Sequence, residues 1–170
     1  IMGIGAGTFQ HEFAAAGLKN TRDDRFNLAK VNSNLVRRLW SGENVEYEDE
    51  YFSFKDVALK PTPVAPIPIW YGGGTPASCR RAVDYCDGWM PGRIPLATFH
   101  KCIEYLHKLC DKAGKPMVTT GAIPITSIAK DVDTAVSKVN GPVTTSGRYV
   151  LRIRFITARG GHSDRHTHHG

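Results

Sequence analysis

The chain has 170 residues, of which 41% are hydrophobic, and a formal net charge of +6. That is enough for one domain with a sizeable core, and neither a run of about eighteen apolar residues nor a charged leader before an apolar segment occurs, so a cytoplasmic protein without a membrane partner is expected. The charge is uneven: residues 147–170 hold five Arg against one Asp, while residues 1–146 are almost neutral. A neutral body argues against a nucleic-acid-binding domain, and the basic tail, lacking an aromatic platform, predicts only weak and nonspecific association.

The chain opens on Ile1-Met2-Gly3-Ile4-Gly5-Ala6-Gly7-Thr8, an apolar, glycine-rich strand. A buried strand is an odd beginning, and the expectation is that further structure precedes it. From Thr8 to Thr21 no periodicity is visible, and an irregular segment is expected. Its polar groups, His11 and Glu12 among them, either line a site at the strand's carboxyl end or belong to a surface loop.

Thr21 followed by Asp24 resembles a capping box, and Leu28, Val31, Leu35 and Leu39 mark one face of a helix that stops at Gly42. Arg37 and Arg38 near its end read as helix-surface charges that suit the dipole. Residues 45–57 alternate aromatic or aliphatic side chains with charged ones around Asp49-Glu50, which predicts a hairpin inserted beside the main sheet. Pro61, Pro63, Pro66 and Pro68 then hold the backbone extended.

Residues 67–92 form the most informative stretch. Ile67 to Tyr71 is too short for a helix and is closed by Gly72-Gly73-Gly74, so it reads as a buried strand. Thr75 offers an N-cap hydroxyl and Pro76 fits the first helical position, where a missing N–H is harmless. Cys79, Ala82, Val83 and Cys86 give that helix an apolar face. A glycine turn feeding a capped helix leaves N–H groups unpaired at the positive end of the helix dipole, which suits a phosphate. The competing reading is a tight turn that uses glycine only for its backbone freedom.

Asp87-Gly88 makes a turn, Trp89-Met90-Pro91 a short strand, and Pro95 to Ala113 a helix with Phe99, Cys102, Ile103, Leu106 and Cys110 inward. His100 and His107 on this helix are interleaved with Lys101, Glu104 and Lys108 and read as a solvated face, not metal ligands. Gly114 and Pro116 end the helix. Residues 117–129 contain another apolar strand, and Asp131 caps a further helix striped by Val132, Val136 and Val139. With no CxxC pair, the four cysteines read as buried free thiols. No metal site is assigned.

Strand and helix thus alternate through about four βα units with a hairpin insertion, the pattern of a parallel α/β fold. In this order Gly3-Ile4-Gly5-Ala6-Gly7 with Glu12-Phe13, Arg25 through Leu39-Trp40-Ser41-Gly42-Glu43, Tyr51-Phe52, Pro66-Ile67-Pro68-Ile69-Trp70 with Gly72-Gly73, and Asp87-Gly88-Trp89 resemble the luciferase-like flavin-dependent oxidoreductases and monooxygenases. The resemblance covers roughly residues 2–140. It implies a partial TIM (β/α)8 barrel, the carboxyl-terminal half of a luciferase-like barrel over residues 1–146, followed by a divergent, basic, His-rich tail over 147–170. It also implies FMN or a deazaflavin as cofactor, with the phosphate held at Gly72, Gly73, Gly74 and Thr75 and the ring system near Gly5, Ala6 and Gly7. The expected partner is a small organic substrate, handled by hydride transfer or oxygen activation. A non-catalytic half-barrel that binds a phosphorylated ligand is the alternative. No catalytic acid or base is assigned; His11 and Arg93 are the polar candidates for the pocket wall. A half-barrel has open edges, so a homo-oligomer or pairing with a missing half is expected, with residues 149–156 as a possible substitute edge strand. His162, His166, His168 and His169 read as part of a solvated tail.

Overall fold

The structure is a computed structural model that describes residues 1–17, 21–123, 127–131, 133–135 and 137–138. The expected strand at 149–156, the valine stripe at 132, 136 and 139, and the histidines of the tail lie outside the described residues. Two compact units separate at Ile123/Pro124. In the second, the Asp131 carboxylate accepts hydrogen bonds from the N–H and hydroxyl of Thr134, at 2.8 and 3.0 Å, as a helix cap would.

In the first unit, Ile1–Ile123, four strands form one parallel sheet: β1 (Met2–Ile4), β4 (Ile69–Gly72), β5 (Gly88–Met90) and β6 (Thr119–Thr120), in the order β1-β4-β5-β6. The hairpin β2 (Val45–Glu48) and β3 (Ser53–Val57) forms a separate antiparallel pair, as an insertion should. Helices α2 (Arg22–Trp40), α3 (Pro76–Tyr85) and α4 (Leu96–Ala113) supply the connections expected of βα units. The partial barrel read from the sequence is what the strand order and the parallel registers describe.

The core lies between the sheet and α3 and α4. Tyr71 and Trp89 point from adjacent strands into the same cluster as Cys79, Ala82, Cys102 and Leu106, all nearly or wholly buried. These are the positions that the helical periodicity marks as inward. Gly114 takes a left-handed conformation, φ 62°, and closes α4.

Two segments differ from expectation. Residues Gln10–Ala15 form a short helix, α1, within the stretch expected to be irregular. Its start has no side-chain cap, so the usual N-terminal signature is missing, while Ala14 and Ala15 carry high intrinsic helix propensity. On α2, the fully buried face runs through Arg25, Ala29 and Ser33, spaced i, i+4, i+8, with Leu35 beside it; Leu28, Val31 and Leu39 are only half-buried. Small residues at the centre let the helix approach closely, and Ser33 spends its hydroxyl on the Ala29 carbonyl at 2.7 Å. Arg37 pairs with Asp87 at 2.6 Å and Arg38 with Glu43, the surface roles expected of them.

Candidate functional site

Because β1, β4 and β5 run parallel and in register, Ile4 beside Tyr71 and Gly72 beside Met90, the chain leaves all three at one end of the sheet. Three connections therefore meet there: Gly5 to Gly7 running into α1, Gly72 to Thr75 running into α3, and the loop after β5 that carries Arg93. His11, on α1, is exposed with its ring 5.5 Å from that of Phe9, and Arg93 is also exposed.

The turn after β4 is built mainly from hydrogen bonds. Thr75 caps α3: its hydroxyl accepts from the Ser78 N–H at 3.3 Å, and the Ser78 hydroxyl accepts from the Thr75 N–H at 3.0 Å, a complete capping box. Pro76 takes the first helical position. Ser78 also donates to the Gly73 and Thr75 carbonyls, each at 2.6 Å. The Trp89 indole, entirely buried, donates from Nε1 to the same Gly73 carbonyl at 2.8 Å. Among the described residues, the N–H groups of Gly74 and Ala77 have no acceptor. They stand at the amino end of the α3 dipole, where an anion is favoured.

Each glycine here has its own reason. Gly73 adopts φ +134°, and a Cβ there would lie 3.0 Å from the Ser78 Cβ. A side chain at 73 would therefore push on the Ser78 network, so its path leads inward. At Gly74 a Cβ would meet Ile94 Cγ2 at 2.3 Å, so the loop after β5 closes over this position.

The turn after β1 is held by packing. Gly7 has φ +70°, and a Cβ there would lie 2.6 Å from the tip of the Phe13 ring, whereas Gly5 faces open space. Behind Phe13 stands Arg25, only 6% exposed, with its guanidinium 4.3 Å from the ring centroid and Nη1 donating to Gln10 Oε1 at 2.5 Å. Its Nε is buried without an acceptor among the described residues. In the sequence Arg25 stands out only as the start of a stretch that carries the family resemblance; its i, i+4, i+8 spacing with Ala29 and Ser33 is the signal that marks its burial.

At the opposite end of the sheet, the Asp87 carboxylate accepts from the Ile69 N–H at 2.8 Å and from Arg37, while the Asp87 N–H donates to the Ile69 carbonyl at 2.8 Å. Gly88 leaves room for the Trp70 indole, which a Cβ would meet at 2.6 Å, and Gly121 does the same at 2.8 Å. Asp87-Gly88-Trp89 thus ties one strand at one end, accommodates an indole in the middle and reaches the glycine turn at the other.

Burial pushes the thiols of Cys79 and Cys86 up to about 12, with Cys102 adding to the effect at Cys79. Both stay neutral at physiological pH and are not nucleophiles. All four cysteines are free. Among the described residues no cluster of three His, Cys, Asp or Glu side chains is arranged to hold a metal ion, and no helix is long and apolar enough to cross a membrane. The strand ends thus bring two N–H groups without an acceptor among the described residues beside a second turn that is open at Gly5.

The family model for luciferase-like monooxygenases matches residues 1–169. The chain belongs to that family. Among curated luciferase-like relatives, an F420-dependent glucose-6-phosphate dehydrogenase of Nakamurella multipartita is 27% identical over 135 residues, which is 78% of this chain and 40% of that protein. An F420-dependent hydroxymycolic acid dehydrogenase of Mycobacterium tuberculosis is 37% identical over 92 residues, 52% of this chain and 25% of that protein. The chain thus spans less than half the length of the curated relatives it matches. Among solved structures, an F420-dependent secondary alcohol dehydrogenase in complex with an F420-acetone adduct superposes with a TM-score of 0.66 at 22% identity, over 81% of this chain and 43% of that one. The coenzyme F420 dependent tetrahydromethanopterin reductase from Methanopyrus kandleri gives 0.63 at 20% identity, over 80% and 44%. At such identities these likenesses establish a shared fold, the luciferase-like barrel.

Proposed function

We propose that this chain is part of a flavin-type oxidoreductase that binds a deazaflavin or FMN across the two glycine turns, with the cofactor phosphate at Gly72, Gly73, Gly74 and Thr75 and the ring system toward Gly5, Ala6 and Gly7. The observation that carries this reading is the pair of unpaired N–H groups, Gly74 and Ala77, at the capped start of α3. Phosphate sites in barrels of this architecture lie at strand carboxyl ends; family membership supports a flavin-type cofactor, and the F420-dependent relatives favour a deazaflavin among these. The residues fit such a group: two half-exposed backbone donors lack an acceptor among the described residues, Thr75 is exposed beside them, and Gly5 faces open space.

Once bound, the cofactor supplies hydride or electron transfer to a small organic substrate; the protein's part is to bind and orient. The turn after β4 fixes the phosphate through backbone donors set by the Thr75–Ser78 capping box. The turn after β1, free of side chains at Gly5, lets a planar group lie close to the strand end. Supply of the remaining barrel strands by a second chain, or by further sequence, belongs to the same proposal.

Titration of the chain with coenzyme F420, its phosphate-free form, FMN and riboflavin, followed by fluorescence, tests the reading. Each phosphate-bearing compound is expected to bind at least about tenfold tighter than its phosphate-free counterpart, the gain from one charge-assisted hydrogen bond. Equal affinity within each pair rejects the phosphate assignment.

A further inference from the structure

We infer that Trp89 and Ser78 are positioning residues that hold the Gly73–Gly74 peptide in the single orientation that presents an N–H, and not a carbonyl, to the cofactor phosphate. The inference rests on the phosphate reading above. A trans peptide is planar, so the Gly73 carbonyl and the Gly74 N–H point in opposite directions. The carbonyl is directed inward, where it accepts from Trp89 Nε1 at 2.8 Å and Ser78 Oγ at 2.6 Å. The Gly74 N–H is therefore directed outward, and it has no acceptor among the described residues. Reversing this peptide would break both hydrogen bonds and aim a carbonyl oxygen at an anion.

Nothing intrinsic to the turn prevents that reversal. Two consecutive glycines have no Cβ to restrict them, and glycine occupies positive and negative φ with nearly equal ease. An external lock is needed, and the two donors are not equivalent. Ser78 has one hydroxyl proton and two carbonyls to serve, those of Gly73 and Thr75, both at 2.6 Å. The indole supplies a proton of its own, with Ser78 Oγ as a longer second contact at 3.3 Å. Trp89 cannot swing away: it is wholly buried, its strand is in register with Tyr71, and its ring lies 5.7 Å from that of Phe99 on α4. A core side chain sixteen positions along the chain thus sets the polarity of the turn.

The test compares the full chain with Trp89→Phe, which keeps an aromatic ring but removes the donor, and with Ser78→Ala. Each is titrated with FMN and riboflavin, and with coenzyme F420 and its phosphate-free form. Trp89→Phe is expected to lose about tenfold of the preference for the phosphate-bearing member of each pair, while affinity for the phosphate-free member stays within about twofold. Ser78→Ala is expected to act in the same direction, and it carries the test alone if circular dichroism shows that Trp89→Phe is unfolded. Equal weakening of both members would show a merely structural role and overturn the inference. So would a folded pair of variants that keep the wild-type preference. A wild-type chain with no preference would instead reject the phosphate site itself, and the inference with it.

Discussion

The turns after β1 and β4 both rely on glycine and leave adjacent strands at the same end of the sheet, yet they are held in different ways. Gly73 is fixed by directional bonds from Ser78 and Trp89, in front of a ten-residue helix that buries Ser78, Cys79, Ala82 and Val83. Gly7 rests on the edge of one aromatic ring, before a six-residue helix with no side-chain cap and no buried residue. Hydrogen bonds specify direction as well as distance, whereas an apolar contact specifies only distance. The first turn is thus suited to hold a small charged group at a fixed point, and the second to adapt to a larger planar one.

The largest effect is expected from the well-wired turn. Gly73→Val places a β-branched residue at φ +134° and presses on Ser78, so a loss of about 3 kcal/mol in unfolding free energy is expected, read by chemical denaturation. The preference for phosphate-bearing cofactors should fall with it, through Ser78 and not through a blocked approach. A stable variant with unchanged preference would break the contrast between the two turns.

Gly7→Ala should cost less, about 1 to 2 kcal/mol, because φ +70° is strained for alanine but the atom it meets is the movable tip of Phe13. A double-mutant cycle with Phe13→Ala sharpens the point: the steric part of the cost should vanish in the double variant while the backbone part remains. Full additivity would mean that Phe13 is not what holds the turn.

The last effect is alkaline and absent at neutral pH. Both thiols pushed up to about 12, Cys79 and Cys86, are on or at the end of α3, and their ordinary value is 9.0. A raised folded-state value means that the unfolded chain gives up its proton first. The contribution to stability is full below pH 9 and is lost as pH rises from 9 toward 12, by roughly 1 kcal/mol per thiol over the first unit. Amide exchange between pH 8 and 10 should therefore show added opening in α3 beyond the general base-catalysed rise, and none in α1, which has no cysteine. Matched behaviour of the two helices would count against the burial of these thiols.

The parts of this architecture legible in the sequence are those whose signals are local. Thr75, Pro76 and the glycines before them announce strand, turn and helix within nine residues, and the Thr21–Asp24 box marks the start of α2 equally well. Periodicity found the buried faces of α3 and α4 because large apolar side chains define them. It misjudged α2, whose buried centre is Ala29 and Ser33 with a charged Arg25. It also missed α1, whose anchor, Phe13, acts through contacts with Gly7 and Arg25 that adjacent residues do not advertise. The hydrogen bond from Trp89 to Gly73 was beyond reach in principle. Asp87-Gly88-Trp89 was visible as a motif, but nothing in a linear pattern tells which way an indole nitrogen points.

The Trp70 indole, laid against Gly88 and reaching Gly121 on the face away from Trp89, has an optical consequence. The adjacent strands β4 and β5 carry two indoles in unlike surroundings, Trp89 sealed in the dry interior and Trp70 partly open to solvent. Their emission should separate into a blue and a red component. An isoalloxazine or deazaflavin chromophore at the strand ends absorbs where tryptophan emits, so energy transfer from both indoles would register its arrival. With Trp40 at the end of α2 as a third emitter, the molecule carries its own lamps for watching the site fill, with no label attached.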